Sequence, residues 1–422
     1  MKDETKCLHA GYTPKNGEPR VLPIVQSTTY VYDSAAEVAA IFDDPTKGLC
    51  YSRFGNPTVM AVEEKIAALE GGVGAMCTTS GQAATLLSIL NICEAGDSIV
   101  STAQIYGGSI NLFSFTFKRL GIECIYVDAA STDEEIKAAF KPNTKLVFGE
   151  TIANPALTVF DIERFANIAH DMGVPLIVDN TFATPVLCKP FTYGADIVIH
   201  STSKYMDGHA VQVGGVIVDS GKFDWTNGKF PGLCEPDESY HGISYTESYG
   251  NMAYIIKARM QLMRDFGVYP AAHSAFLLNL GLETLAVRME RYCANAMTVA
   301  KHLENSPAVE KVIYPGLPTD ENHALAQKYL KGCSGVISFI IKGGREAAAK
   351  FMDALQLASN EVHVADIRTC VLHPASETHR QLSDEQLVAA GINGGMIRFS
   401  VGLENIDDIL ADLDTALAAV CA

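Results

Sequence analysis

The amino-acid sequence predicts an α/β protein, with a mainly parallel, helix-covered sheet and a smaller α+β domain at its C-terminal end. Short apolar runs alternate with helical patterns between residue 57 and about residue 200, and such alternation is typical of parallel sheets. The C-terminal part instead carries long helical patterns and two strong strand patterns. The 422 residues, 48% of them hydrophobic, are also enough for more than one core.

Three segments are expected along the chain. Residues 1–56 hold many turn residues and few periodic elements, which favours an arm that lies on another subunit. Residues 57–268 are expected to form the α/β domain, and residues 269–422 the α+β domain. Within 57–268, Gly, Pro, Asp and Tyr are frequent from Asp219 to Tyr249. We expect an irregular insertion there, near the mouth of the active site.

The periodic patterns predict the individual elements. Strands of the large sheet are expected at 75–78, 98–101, 123–127, 145–149, 174–178 and 195–199. Helices between them are expected at 57–69, 81–90, 110–120, 132–140 and 160–172. The C-terminal domain is expected to contain helices at 274–304, 345–355 and 406–420 and strands at 336–340 and 396–401.

Composition excludes several kinds of partner. The formal net charge is −17 and no run of Lys and Arg occurs, so neither nucleic acid nor an anionic membrane is expected to bind. No apolar stretch approaches about 18 residues, which predicts no membrane span. Eleven cysteines without a C-x-x-C pair predict reduced thiols in the cytoplasm, and the charged start of the chain predicts no signal peptide. His200/His209 and His373/His379 lack matching ligands, so no metal is predicted.

Functional side chains follow two adjacent predicted strands. Asp179 closes one strand, and the next leads into Ser201, Ser203 and Lys204. Ligands of open α/β sheets bind at the carboxyl ends of strands, and a lysine with an acidic partner is the protein side of pyridoxal phosphate (PLP) chemistry. The alternatives are a surface lysine and, for Asp179, a cap for the turn at Thr181.

A phosphate site is the second candidate. A strand runs through hydroxyl residues into Gly81 and Gln82 at the start of a helix, where free N–H groups suit a phosphate. Ser201 and Ser203 stand on alternate residues, so both hydroxyls can point one way. An ordinary helix cap by Ser80 explains the first pattern equally simply.

Three further positions carry weaker signals. Tyr106 follows a strand end, where its ring can stack on a planar cofactor or pack in the core. Tyr51 and Arg53 lie in a loop of turn residues, which is either a binding loop or a solvated one. Arg398 lies within an apolar strand and needs an anionic partner, either a substrate carboxylate held bidentately or an Asp or Glu.

Together these segments resemble the PLP-dependent enzymes of cysteine and methionine metabolism, the trans-sulfuration family. The resemblance extends from Leu8 to Glu404 and is most specific at 51–58, 178–182 and 201–205. It implies the fold type I of PLP-dependent aminotransferases, with pyridoxal 5'-phosphate as cofactor. It also implies a homo-oligomer, a tetramer of two active dimers, in which neighbouring subunits share each site.

The resemblance also implies residue roles. Lys204 carries the cofactor, Asp179 pairs with the pyridine nitrogen and Tyr106 stacks on the ring, and these three form the catalytic set. The remaining cofactor-binding residues are Gly81, Gln82, Asn154, Thr181, Ser201 and Ser203, joined by Tyr51 and Arg53 from a neighbouring subunit. The substrate-binding residues are Arg398, which clamps the carboxylate, with Asn154, Tyr51 and His363. His363 stands where relatives often have Ser or Asn.

Within the family the chain is most similar to members that act on O-acetylhomoserine. The long Asp219–Tyr249 insertion, Gly108 in place of the cysteine of γ-lyases, and residues 371–382 carry this likeness. It implies γ-replacement of acetate by sulfide or a thiol, giving homocysteine for methionine biosynthesis. The alternatives are methionine γ-lyase or cystathionine γ-synthase-type chemistry, and a scaffold protein without activity.

Overall fold

The computed structural model describes residues 1–377, 380 and 393–421. His379 and part of segment 371–382 therefore lie outside the described residues. A seven-stranded sheet has the strand order β1-β7-β6-β5-β4-β2-β3, in which β7 is antiparallel to both neighbours and the others from β6 to β3 are parallel. Its strands are β1 Gly74–Thr78, β2 Ser98–Thr102, β3 Glu123–Val127, β4 Thr144–Glu150, β5 Leu176–Asp179, β6 Ile197–Ser201 and β7 Gly215–Asp219.

Side chains alternate between two cores on the faces of this sheet, because successive residues of a strand point to opposite sides. Val178 and Val198 belong to one core, and Ile177 and Ile199 belong to the other. Apolar residues on both faces explain why these strands read as continuous hydrophobic runs.

Helices cover both faces and are bounded by ordinary caps. The helix at Pro57–Glu70 starts after the Asn56 side chain, which accepts a hydrogen bond from the Thr58 N–H, and ends at Gly71 with φ of 86°. The helices of this part are α1 Asp3–His9, α2 Ala35–Asp43, α3 Pro57–Glu70, α4 Gly81–Leu90, α5 Gly107–Asn111, α6 Asp133–Ala138, α7 Ile162–Asp171, α8 Thr184–Leu187, α9 Pro231–Cys234, α10 Tyr245–Tyr249, α11 Ala253–Lys257 and α12 Arg264–Phe266.

The second sheet lies in the C-terminal part, with the strand order β10-β11-β12-β9-β8. Its strands are β8 Val309–Ile313, β9 Val336–Ile341, β10 Ser359–Asn360, β11 Cys370–Leu372 and β12 Met396–Ser400. The helices are α13 Ala272–Glu283, α14 Leu285–Glu304, α15 His323–Tyr329, α16 Gly344–Ala354 and α17 Ile406–Cys421. The smaller α+β unit predicted from the sequence is therefore present.

Several predicted elements differ in detail. The helix expected at 110–120 is α5 followed by a π-helical stretch at Leu112–Phe117. The long helix expected at 274–304 is two helices separated at Thr284. The arm contains α1, which packs against α3 and α14, and the helical run from α11 to α12 was not predicted.

The fold class is confirmed, whereas the boundaries at residues 56 and 268 stay predictions. In the part of the chain that the structure describes, no helix combines the length and the apolar character needed to cross a membrane.

Candidate active site

The carboxyl ends of three parallel strands form the floor of the site. Glu150 ends β4 and pairs in register with Asp179, which ends β5, and Asp179 in turn pairs with Ile199 of β6. Thr181 links the last two strands: its Oγ1 donates to Asp179 Oδ1 at 2.5 Å and accepts from the Ser201 N–H at 2.9 Å. The strand-end placement predicted for Asp179 and Ser201 is therefore what the structure has.

The Asp179 carboxyl group lies deep in the protein, although part of the residue faces the open site. Burial raises its pKa, and the bonds from the Thr181 hydroxyl and backbone N–H oppose this effect. Asp179 therefore also caps the turn at Thr181, as the alternative interpretation proposed. Both of these hydrogen bonds are accepted by Oδ1. A positively charged group at Asp179 would offset the cost of burying the charge.

Glu150 is a functional residue that the sequence reasoning missed. Its Oε2 accepts a hydrogen bond from the Tyr106 N–H at 2.6 Å. Burial, and then the neighbouring Asp179, raise the pKa of Glu150 well above its usual value. Burial and Asp179 therefore both disfavour a second negative charge at Glu150. The available signal was its place at the end of an apolar strand, the same as that of Asp179.

A cradle for an anion lies at the start of α4. The Gly81 and Gln82 N–H groups belong to the first turn and have no carbonyl of their own helix to bind. A Cβ atom on Gly81 would lie 2.6 Å from the Ser201 Cβ, so only glycine allows this strand and helix to approach so closely. Ser203 Oγ accepts from the Gly214 N–H at 2.9 Å. The next residue, Gly215, lies against the Gly81 backbone.

Tyr106 stands at the rim of this cradle. It precedes α5, and nearly half of its surface is exposed, so its ring is free to cover a planar ligand. Gln82 Nε2 donates to the Gly108 carbonyl at 2.9 Å, which ties the cradle to the Tyr106 loop. The alternative of a Tyr106 ring packed in the core is therefore wrong.

Lys204 follows β6 and carries a perturbed amine. Burial, and then the Arg398 cation, lower the pKa of Lys204 to about 8. Its Nζ lies 3.4 Å from His363 Nδ1. The alternative of a surface lysine does not hold, and the neutral amine needed for a base is accessible near pH 8.

Arg398 on β12 is a buried cation, 6% exposed. It donates to Asn154 Oδ1 at 3.3 Å and to the backbone carbonyls of Val362 and His363 at 3.1 and 2.9 Å. No carboxylate of the described residues forms an ion pair with it, and its Nε has no hydrogen-bond partner there. Burial lowers the pKa of Arg398, because a buried positive charge is costly without an anionic partner. A substrate carboxylate would supply that partner.

The structure brings Asn154, His363 and Arg398 together around Lys204, as predicted for the substrate set. His363 was predicted to bind the substrate, but its side chain points to the lysine: the ring faces Lys204, and only the backbone carbonyl faces Arg398. Tyr51 and Arg53 lie elsewhere in this chain: Arg53 stacks on Tyr51 and Phe54 and donates to the Arg264 carbonyl. Their role in a neighbour's site stays a prediction.

A buried polar network supports the floor from below. Glu70 Oε1 lies 2.7 Å from His200 Nε2 and accepts from Asn180 Nδ2 at 3.0 Å. Asn180 Oδ1 in turn accepts from Thr151. His200 is thus the structural histidine that the sequence indicates, while the prediction of no metal stays open, since His379 lies outside the described residues.

The insertion from Asp219 to Tyr249 lies away from these residues. Trp225 is buried in the core with Tyr254, and Tyr240 donates to the Phe42 carbonyl at 2.7 Å. Among the described residues, its hydrogen bonds run to the arm, to α12 and to the sheet rather than to Lys204. Within one chain, it therefore does not form the mouth of the site.

The residues fit pyridoxal phosphate. The glycine-dependent cradle with its free N–H groups and serine hydroxyls suits a phosphate. Asp179 offers a carboxylate to a ring cation, and Lys204 offers an amine of lowered pKa. Gly81, Gln82, Ser201 and Ser203 would therefore hold the phosphate, with Tyr106 over the ring.

Known proteins are similar to this chain over nearly its whole length. A family model described as "Cys/Met metabolism PLP-dependent enzyme" matches residues 4–418. An O-acetyl-L-homoserine sulfhydrylase of Leptospira meyeri is 44% identical over 99% of this chain and 97% of its own length. A homocysteine synthase of Schizosaccharomyces pombe is 46% identical over 98% of this chain and 97% of its own.

A solved structure agrees with them. A Campylobacter jejuni chain assigned as an O-acetylhomoserine (thiol)-lyase, which carries pyridoxyl phosphate on a lysine, has a TM-score of 0.95 and 36% identity, covering 99% of this chain and 100% of its own. The matched family model and the full-length relatives leave one conclusion: the chain belongs to the PLP-dependent enzymes of cysteine and methionine metabolism.

Proposed function

We propose that this chain replaces the acetate of O-acetyl-L-homoserine with sulfide or a thiol, giving L-homocysteine and acetate in methionine biosynthesis. The observation that carries the proposal is Arg398, a buried cation that has no ion pair with a carboxylate of the described residues and lies next to the amine of Lys204. Such a pair fits an amino-acid substrate, because one group binds the carboxylate and the other moves protons at Cα. Relatives named for this reaction match the chain from end to end.

Substrate orientation follows from the arginine. Five N–H groups belong to a guanidinium, and three of those of Arg398 donate to Asn154, Val362 and His363. Two remain, one on Nη1 and the one on Nε. They lie on different edges of the guanidinium, so a substrate carboxylate accepts a single charge-assisted hydrogen bond from one of them. The bound amino acid is thereby held with its α-carbon on the Lys204 side of the site.

Proton transfer follows from the lysine. When bound, pyridoxal phosphate supplies an electron sink for the charge that develops at the substrate α-carbon. Lys204 Nζ takes the proton from Cα and passes it on, to the cofactor or to water, which makes the amine neutral again. It can then take the proton from Cβ that must leave before acetate departs from Cγ, and it returns protons after sulfide has added. With a pKa of about 8, the amine is neutral in an increasing fraction of molecules as the pH rises towards 8.

The carboxylates have separate roles. Asp179 would hold the pyridine nitrogen of the cofactor, and a carboxylate there would keep that nitrogen protonated. Glu150, whose pKa is raised by burial and then by Asp179, fixes the backbone of Tyr106.

Gly108 supports replacement over elimination. A Cβ atom on Gly108 would collide with the Tyr106 ring, so a cysteine at this position requires the ring to move. The arrangement seen here therefore has no room for the side chain of a γ-lyase cysteine. A γ-lyase remains the alternative activity, with 2-oxobutanoate as its product.

A product assay tests the proposal. The purified protein, loaded with cofactor, is given O-acetylhomoserine with and without sulfide, and homocysteine, acetate and 2-oxobutanoate are quantified. Homocysteine is expected as the main product at saturating sulfide, with Lys204→Ala as the inactive control. Mainly 2-oxobutanoate under the same conditions would make the chain a lyase. O-succinylhomoserine in a parallel reaction tests the acyl preference.

We further propose a homotetramer of two active dimers in the cytoplasm, with residues 1–56 as the arm that reaches a neighbouring subunit. The support is the position of Arg53, which donates to the Arg264 carbonyl and stacks on Tyr51 and has no described hydrogen bond to Ser201 or Lys204 of its own chain. Sedimentation of the loaded protein measures the oligomer size.

A further inference from the structure

His363 connects the two charged groups of the site. Its ring Nδ1 lies 3.4 Å from Lys204 Nζ, and its backbone carbonyl accepts a hydrogen bond from Arg398 at 2.9 Å. The amine that moves protons and the cation that binds the carboxylate are therefore tied to the same residue, although Lys204 and His363 are 159 positions apart in the sequence.

The surroundings of the ring select one tautomer. Nε2 is buried without a hydrogen-bond partner among the described residues. The nearest charged group to it is the Asp366 carboxylate, at 3.9 Å from Nε2, which is itself fixed by Arg368. A carboxylate on the Nε2 side favours the proton there, so Nδ1 keeps its lone pair. The lone pair then faces Lys204.

The charge of the ring fits the same role. Burial, and then the Lys204 and Arg398 cations against the weaker effect of Asp366, lower the pKa of His363 to about 4. The imidazole is therefore neutral over the range in which Lys204 titrates, and it accepts a hydrogen bond without adding a third positive charge beside Arg398.

We propose that His363 is a positioning residue for the base: its Nδ1 accepts a hydrogen bond from the Lys204 amine and holds that amine beside the carboxylate site. The inference rests on the proposed function, since it takes Lys204 as the group that moves protons at Cα. The ring acts on Lys204, whereas only the backbone carbonyl acts on Arg398. Replacing the side chain should therefore impair proton transfer and leave carboxylate binding intact.

Two substitutions separate the ring nitrogens. Asn places its amide oxygen at the distance from Cα that Nδ1 has, and Gln places it at the distance of Nε2. The test uses the loaded enzyme in deuterium oxide with L-alanine, which has no group to eliminate. The dissociation constant comes from the change in visible absorbance, and the rate of Cα proton exchange comes from NMR.

His363→Gln is expected to slow Cα exchange about tenfold, as for the loss of one hydrogen bond, while His363→Asn stays within about threefold of the wild type. Both variants should bind L-alanine within about threefold of the wild type, since the carbonyl that holds Arg398 remains. Thermal unfolding of both variants, within a few degrees of the wild type, establishes that they are folded.

Three results would overturn the inference: wild-type exchange in His363→Gln, equally slow exchange in both variants, or binding that weakens in parallel with exchange. The proposed function fails separately. If the wild type forms no homocysteine from O-acetylhomoserine and sulfide, but the Gln and Asn variants differ as expected in exchange, then His363 positions Lys204 in an enzyme with another substrate.

Discussion

Arg398→Gln tests the carboxylate site most sharply. The substitution removes the two N–H groups that remain free after the bonds to Asn154, Val362 and His363. A hydrogen bond to a charged group contributes about 1.5–3 kcal/mol, and one such bond to the substrate carboxylate is lost. At about 1.4 kcal/mol per tenfold, the dissociation constant of an amino acid should rise about ten- to a hundredfold.

The assay compares two ligands. L-alanine and ethylamine, which lacks the carboxylate, are titrated against the loaded enzyme by visible absorbance. Alanine binding should weaken in Arg398→Gln, whereas ethylamine binding should not. Arg291→Gln, on the exposed side of α14, is the matched control and should leave both unchanged. The protein should stay folded, because a neutral glutamine removes a buried cation that has no described anion. A change in alanine binding below about threefold would refute the reasoning.

Other predictions use the same preparation. Lys204→Ala should fold but show no turnover, because the variant lacks the amine that moves protons and no other described amine lies beside His363 to replace it. A stopped assay for homocysteine measures the turnover, and a wild-type rate would contradict this prediction. Asp179→Asn should bind cofactor and turn over at least about a hundredfold more slowly, as for loss of an electrostatic partner of the reacting group; unchanged turnover would leave Asp179 with its turn role alone. Glu150→Gln should keep most of the wild-type turnover, since the amide oxygen can still accept from the Tyr106 N–H, whereas Glu150→Ala should lose it; equal rates in the two variants would count against a positioning role. Mixing Arg53→Ala with Lys204→Ala under conditions that exchange subunits should restore part of the activity, and no recovery after proven exchange would argue against shared sites.

The sequence predicts the strand-end residues well, because a polar residue after an apolar run must lie at the edge of the sheet. Asp179 and Lys204 are of this kind, and the glycine at position 81 is readable from the strand-to-helix transition. Glu150 has the same signature, but its value depends on the register that places it beside Asp179 and on the Tyr106 N–H that it binds. Both are properties of the assembled sheet.

The contact between His363 and Lys204 cannot be predicted from local sequence patterns, for a similar reason. It requires the second sheet and the loop after β10 to pack over the end of β6, and nothing in the sequence near residue 363 specifies that approach. The insertion after Asp219 illustrates the opposite error. Its composition correctly predicts an irregular segment, but Trp225 packs with Tyr254 in the core, which composition does not indicate.

The central claim is that Lys204, at the end of β6, is the lysine that carries pyridoxal phosphate. The direct measurement is reduction of the loaded protein with borohydride, followed by proteolysis and mass spectrometry of every lysine-containing peptide. The account predicts one pyridoxyl phosphate per chain, on Lys204, and none when L-alanine has displaced the cofactor from the lysine before reduction. Stoichiometric label on another lysine would contradict the account.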